Sequence, residues 1–124
     1  MSHTVKLETY QPSKKPSEEY CQTLRDFARK AVFGYWHERH KPIHLSLVEK
    51  KVLHELWAIK QNNPKRFKEV FGAKYPSKRT IERRIQEEAS VNYASDGVPK
   101  IVNVTAGYYK PNPVLFEKLG KKET

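Results

Sequence analysis

Pro42, Pro64 and Pro76 cut residues 17–89 into four stretches, and each carries apolar residues three or four positions apart. Proline lacks the amide a helix interior needs and pushes the preceding residue out of helical geometry, so helices end before it or open with it. A first helix is predicted over about 17–41. Ser17 is a good cap, Glu18 and Glu19 suit the positive end of the helix dipole, and Pro42 stops it. Its stripe reads Tyr20, Leu24, Phe27, Ala31 and Tyr35, with Ala28 and Val32 beside it, and Gly34 weakens its last turns. A second helix is predicted over 46–61, opened by SLVE as a capping box in which Glu49 reaches back to the Ser46 amide. Val48, Val52, Leu56 and Ile59 form its stripe, flanked by Leu53 and Trp57. Asn63-Pro64 announces a short third helix, 64–71, anchored by Phe67, Val70 and Phe71 and ended by Gly72. Ser77 caps a fourth over 77–89, with Ile81, Ile85 and Ala89 facing inward.

Beyond the helices the pattern changes. KIVNVTAGYYKPNP is rich in β-branched and aromatic residues and reads as a hairpin over about 100–111. Its tip is placed at Thr105-Ala106-Gly107, with Ser95-Asp96-Gly97 as the alternative turn. Tyr108 and Tyr109 alternate, so one faces the core and one faces out. Residues 1–16 read as a flexible basic arm, in which VKLETY could pair as an edge strand. VLFEKLGKK reads as a last helical turn or two, and 120–124 as a frayed tail. The expected fold is mainly α with a small β-hairpin, one domain over 17–119.

With 124 residues and a net charge of +10, the chain is long enough for one core and strongly basic. Such a balance favours partners that carry phosphate, because lysine and arginine release counterions from it. The charge is concentrated. KYPSKRTIERRI, residues 74–85, sets five cations and one acid around two isoleucines four apart. Ile81 and Ile85 hold that helix on the core, and Lys78, Arg79, Glu82, Arg83 and Gln86 fall on its other faces. Arg84 points towards the first helical layer, within reach of Glu87 or Glu88.

Helix, helix, short helix, turn, basic helix and hairpin in this order resemble the winged helix-turn-helix family of DNA-binding domains. The resemblance covers about residues 45–111, carried by RFKEVFGAKYPSKRTIERRI and KIVNVTAGYYKP. It implies a recognition helix over 77–89 that enters the major groove of double-stranded DNA, and with it transcription regulation. On that reading Lys78, Arg79 and Arg83 donate to guanine or phosphate, and Gln86 reads adenine. Ser77 and Thr80 hydrogen-bond phosphate at the helix N-terminus. Lys65, Arg66, Lys68 and Lys74 precede the helix, and Lys100 and Lys110 flank the hairpin, as further backbone contacts. The turn GAKYPS is longer than the family's usual one. Two other readings stay open: a protein-interaction module on a nucleic-acid machine such as RNA polymerase, and an RNA-binding or ribosome-associated protein. A basic helix face that is merely solvated is the plain alternative to all three.

Other features carry less. His37, His40 and His44 share a helical spacing, but Pro42 falls between the last two, so no metal site is expected. Cys21 is the single cysteine, which rules out an internal disulfide and leaves it as a semi-buried small residue. No phosphate loop, HExxH or GxSxG motif occurs, so neither an enzyme, a cofactor nor a small-molecule ligand is expected. The N-terminus has no apolar run fit for a signal peptide and no segment reaches a membrane span, which points to the cytoplasm, nucleoid or nucleus. Tyr20, Phe27, Phe33, Tyr35 and Trp36 make helix 17–41 rich in aromatics, a candidate homodimer surface.

Overall fold

The computed structural model describes residues 16–116. The expected arm, its edge strand and the tail after 116 lie outside the described residues. The fold is mainly helical with a small antiparallel sheet. Its elements are α1 (Glu18–Arg39), β1 (Ile43–His44), α2 (Leu45–Asn62), α3 (Pro64–Phe71), α4 (Lys78–Glu88), a 3-10 turn (Val91–Tyr93), β2 (Ile101–Thr105) and β3 (Tyr108–Pro111). Among the described residues no helix is long and apolar enough to cross a membrane.

The caps explain where the helices begin. Ser17 accepts from the Tyr20 amide, Asn63 from Arg66 and Ser77 from Thr80, each satisfying an amide that the helix leaves without a partner. Pro64 sits in the first turn of α3, and Gly72 ends that helix at φ 80°.

The start of α2 differs from the capping box expected there. The chain enters α2 directly from β1, so the cap position falls on His44, held extended at φ −76° and ψ 146°. Its ring nitrogen Nδ1 accepts from the Ser46 amide at 3.1 Å and lies 2.9 Å from the Ser46 hydroxyl. Glu49 does not reach back; it is buried. The two-residue strand β1, which sequence periodicity is too short to reveal, is what moves the cap.

The sheet has the order β1-β3-β2. Ile43 pairs with Tyr109 and His44 with Tyr108 on one side of β3; Ile101 pairs with Pro111 and Asn103 with Tyr109 on the other. The turn falls at Ala106-Gly107, the first of the two alternatives. Asn103 Nδ2 donates to the carbonyls of Thr105 and Tyr108 at 2.9 Å each, bracing the irregular register between Asn103 and Thr105. Tyr109 is buried and Tyr108 exposed.

The core joins Leu24, Ala28 and Val32 of α1, Ile43, Val48, Val52 and Leu56 of α2 and its entry, Phe67, Ile81, Ile85, Ile101 and Tyr109. On α1 the buried line is Cys21, Leu24, Arg25, Ala28 and Val32, so of the expected stripe only Leu24 is fully buried, together with the neighbouring Ala28 and Val32. Tyr20, Phe27, Ala31 and Tyr35 flank that line and are half-buried, as are Phe33 and Trp36. The helix is rolled because its inward face must also carry Arg25 against α4. Of the α3 anchors only Phe67 is fully buried, its ring tilted against Phe71 and edge-on to Tyr75 at 5.1 and 5.3 Å between ring centres.

Charged groups join α1 to α4. Arg25 donates to Glu87 at 2.7 Å and to Glu18 at 2.9 Å. Arg29 lies 3.5 Å from Glu88. Arg84 donates to the Cys21 sulfur at 2.7 Å and lies 3.3 Å from Glu87. Arg25, Arg84, Glu88 and Cys21 are all buried, although charged groups rarely are unless paired. Burial works against the charge on Arg25, but the Glu87 hydrogen bond and the nearby negative charges outweigh it and raise its pKa.

Two losses of stability follow. Arg25→Ala leaves Glu87 short of its closest partner in a desolvated setting and should cost about 3 kcal/mol, read by denaturant unfolding. His44→Ala removes a cap and should cost about 1 kcal/mol by the same measurement.

Candidate nucleic-acid interface

α4 divides its charges between two sides. Ile81, Arg84, Ile85 and Glu88 are buried, and Glu87 is half-buried against Arg25. Lys78, Arg79, Arg83 and Gln86 are exposed. Arg79, Arg83 and Gln86 are spaced by four and three, so they form one row along the helix. Among the described residues, no carboxylate lies within ion-pair distance of Lys78, Arg79 or Arg83. The outer face is therefore cationic although the helix as a whole contains Glu82, Glu87 and Glu88.

At the N-terminus of α4 the two hydroxyls expected to serve phosphate are engaged with one another. Ser77 accepts from the Thr80 amide at 3.1 Å and donates its own hydrogen to the Thr80 hydroxyl oxygen at 3.0 Å. Thr80 keeps its own hydroxyl hydrogen for an outside acceptor. The turn before the helix is pinned by aromatic contacts. Pro76 is buried, Tyr75 lies edge-on to Phe67, and the Lys60 ammonium sits 4.8 Å from the Tyr75 ring centre. That packing accommodates the extra length of GAKYPS.

The remaining expected contacts differ in availability. Lys65, Lys68 and Lys74 are exposed, and none has an ion-pair partner among the described residues. Arg66 is engaged: it bonds Glu19 of α1 and lies 3.4 Å from Glu69. It therefore ties α3 to α1. Lys100 lies 3.4 Å from Asp96 and 3.5 Å from the Val98 carbonyl, closing the loop before β2. The Asp96 carboxyl is held below its ordinary range by the Val98 amide and then by Lys100. The Lys110 ammonium sits 5.6 Å from the Trp36 ring centre, on α1. His44 is likewise occupied, at the α2 cap and edge-on to Tyr108 at 4.9 Å.

The sequence reading gave Glu49 to a capping box and Glu82 to an outer face of its helix, and the structure places them differently. Glu49 of α2 is 5% exposed, and its Oε2 has no hydrogen-bond donor among the described residues. It faces Glu82 of α4, at the edge of a shallow cavity of about 350 Å³ that Ser46, Lys50, Leu53, Lys78 and Ile81 also line. Burial, then the hydrogen bond to Glu82 and its charge, push the Glu49 carboxyl up to about 7; Lys78 opposes them. Burial and a neighbouring negative charge both make ionisation of Glu49 costly, so it keeps its proton up to about that pH. No spacing within a sequence shows that acids on two different helices will be neighbours.

No protein-family model, no curated protein and no solved structure matches the chain.

The raised Glu49 carboxyl makes stability depend on pH with a defined sign. The folded chain keeps a proton that the unfolded chain gives up near 4.5, so stability falls as pH rises from about 4.5 to about 7 and the cost is constant above. Glu49→Gln should abolish this component, leaving the variant relatively more stable at pH 8 than at pH 5 when melting temperatures are compared with those of the wild type.

Proposed function

We propose that this chain binds double-stranded DNA by laying α4 in the major groove, as a sequence-specific regulator of transcription. The observation that carries the reading is the sorting of charge on α4. Its C-terminal acids turn inward to Arg25 and Arg29, while Lys78, Arg79 and Arg83 stand outward without partners among the described residues. A helix fits the major groove, arginine pairs with guanine edges, and glutamine pairs with adenine. The order α1-β1-α2-α3-α4-β2-β3, with β3 between β1 and β2, supports a winged helix-turn-helix arrangement in which β2–β3 is the wing. That hairpin contributes little charge, since Lys100 and Lys110 are engaged locally. Affinity rests instead on α4, with Lys74, Lys65 and Lys68 placed before it in the chain.

A second reading has one observation in its favour. Leu53, Trp57 and Tyr75 are 38%, 52% and 37% exposed and share a shallow groove with His54 on the outer side of α2. Such a strip suits a protein partner and supports an interaction module acting on a nucleic-acid machine.

Selection of bound duplexes from a random pool at near-physiological salt separates the two. The DNA reading expects an enriched motif. Arg79→Ala or Arg83→Ala should each cost about 1–3 kcal/mol of affinity for that motif if the side chain reads a base. Unchanged affinity in both variants would remove α4 as the recognition element, and a pool with no retained duplex would favour the protein partner.

A further inference from the structure

We infer that the groove on the outer side of α2 binds an unpaired stretch of DNA, with Trp57 as the platform on which a base stacks. The choice of DNA rests on the reading of α4 above; the stacking site stands on its own geometry.

Flat rings and cations share this groove. Lys50 and His54, and Leu53 and Trp57, lie four residues apart, so α2 presents them on one side. With Tyr75 they line a shallow groove of about 440 Å³. Trp57 is 52% exposed, an unusual position for so large an apolar side chain. Its ring lies close to parallel with that of His54, at 19° and 6.0 Å between centres, which fixes its plane. A planar ring with open surface is what a nucleobase stacks on, whatever its sequence. Tyr75 forms the second wall and is held edge-on to Phe67.

Charge selects the occupant. Lys50 and Lys74 are exposed, and the Lys60 ammonium stands at the Tyr75 ring. Among the described residues no carboxylate lies within ion-pair distance of Lys50, Lys60 or Lys74, and none lines the groove. An apolar protein segment would meet one aliphatic side chain here, Leu53, and would leave the lysines unanswered. A nucleic-acid strand answers both, with bases on the rings and phosphates on the lysines.

The groove is continuous with the start of α4. The adjoining cavity shares Lys50 and Leu53 with it and reaches Lys78 and Ile81. Glu49, the carboxylate that lines this cavity, is 5% exposed and presents little negative surface to a strand. A strand that parts from a duplex on α4 therefore meets Lys78 and Lys50 before it reaches Trp57. Such a path suits DNA with a single-stranded end or an opened segment.

The test measures affinity of the full chain for three labelled probes at one salt concentration. They are an oligothymidine of roughly 15 nucleotides, within the span of one single-strand site, a blunt mixed-sequence duplex of roughly 20 base pairs, and that duplex carrying the oligothymidine as a 3′ or a 5′ overhang. The wild type should hold an overhang duplex more tightly than the blunt one. Trp57→Ala should weaken the oligothymidine and overhang probes by about 5- to 150-fold, the worth of one stacked base, and leave the blunt duplex unchanged. Trp57→Phe keeps a ring and should keep most of the affinity. Oligothymidine should also quench the tryptophan fluorescence of the wild type but not that of Trp57→Phe, in which Trp36 is the remaining indole. No binding of oligothymidine, or equal affinity in the wild type and Trp57→Ala, would overturn the inference and leave the groove to a protein partner. Oligouridine held more tightly than oligothymidine through Trp57 would overturn the choice of DNA. Binding of oligothymidine that depends on Trp57, with no binding of the blunt duplex, would overturn the duplex reading of α4 and support the stacking site.

Discussion

The roll of α4 about its own axis depends on the charged contacts that join it to α1. Ile81 and Ile85 lie four residues apart and define a single line of attachment, about which a helix can turn with little change in apolar burial. Arg25 on Glu87, Arg29 on Glu88 and Arg84 on Cys21 fix the remaining freedom. Buried ion pairs add little net stability over a well-packed apolar contact. Their effect here is directional. They place three charged residues of α4 on the inner side, so that the outer row carries only what remains.

The sheet performs a related task for α2. β1 is two residues long, yet it sets the entry angle of the helix, supplies its cap and joins the hairpin to the helical layer. The Leu45 amide donates to the Gly107 carbonyl at 2.7 Å, which adds a bond between the first residue of α2 and the hairpin turn. Glu49, one helical turn on, is thereby held against α4. The local geometry of β1 and the burial of Glu49 belong to the same piece of packing.

Much of the architecture was legible in the sequence. Ser17, Asn63-Pro64, Gly72 and Ser77 act through the nearest few residues, so they marked helix ends that the structure places within one or two positions. The hairpin and its tip followed from β-branched residues on either side of a glycine. What depended on distant partners was not legible. Periodicity placed the α1 stripe on Tyr20, Leu24, Phe27, Ala31 and Tyr35, of which only Leu24 is fully buried, because no pattern within one helix announces that Arg25 will be buried against Glu87, some sixty positions away. Ser46 looked like a cap until β1 made His44 the residue that turns the chain. On α4 the outward set Lys78, Arg79, Arg83 and Gln86 was readable from two isoleucines and the helical period. The occupation of Arg66, Lys100 and Lys110 by Glu19, Asp96 and Trp36 was not.

Hairpin turns are ordinarily where a protein family accumulates insertions and substitutions, since little packs there. This one has a closed side. Gly107 has φ +79°, and a methyl group added to it would come 3.0 Å from the His44 ring nitrogen Nε2. That ring cannot retreat without giving up the amide it holds at Ser46. Any larger residue at 107 would therefore be felt at the start of α2, so positions 44 and 107 should drift together or not at all. Ala106, on the solvent side of the same turn, carries no such obligation and is the place where natural variation in this loop should collect.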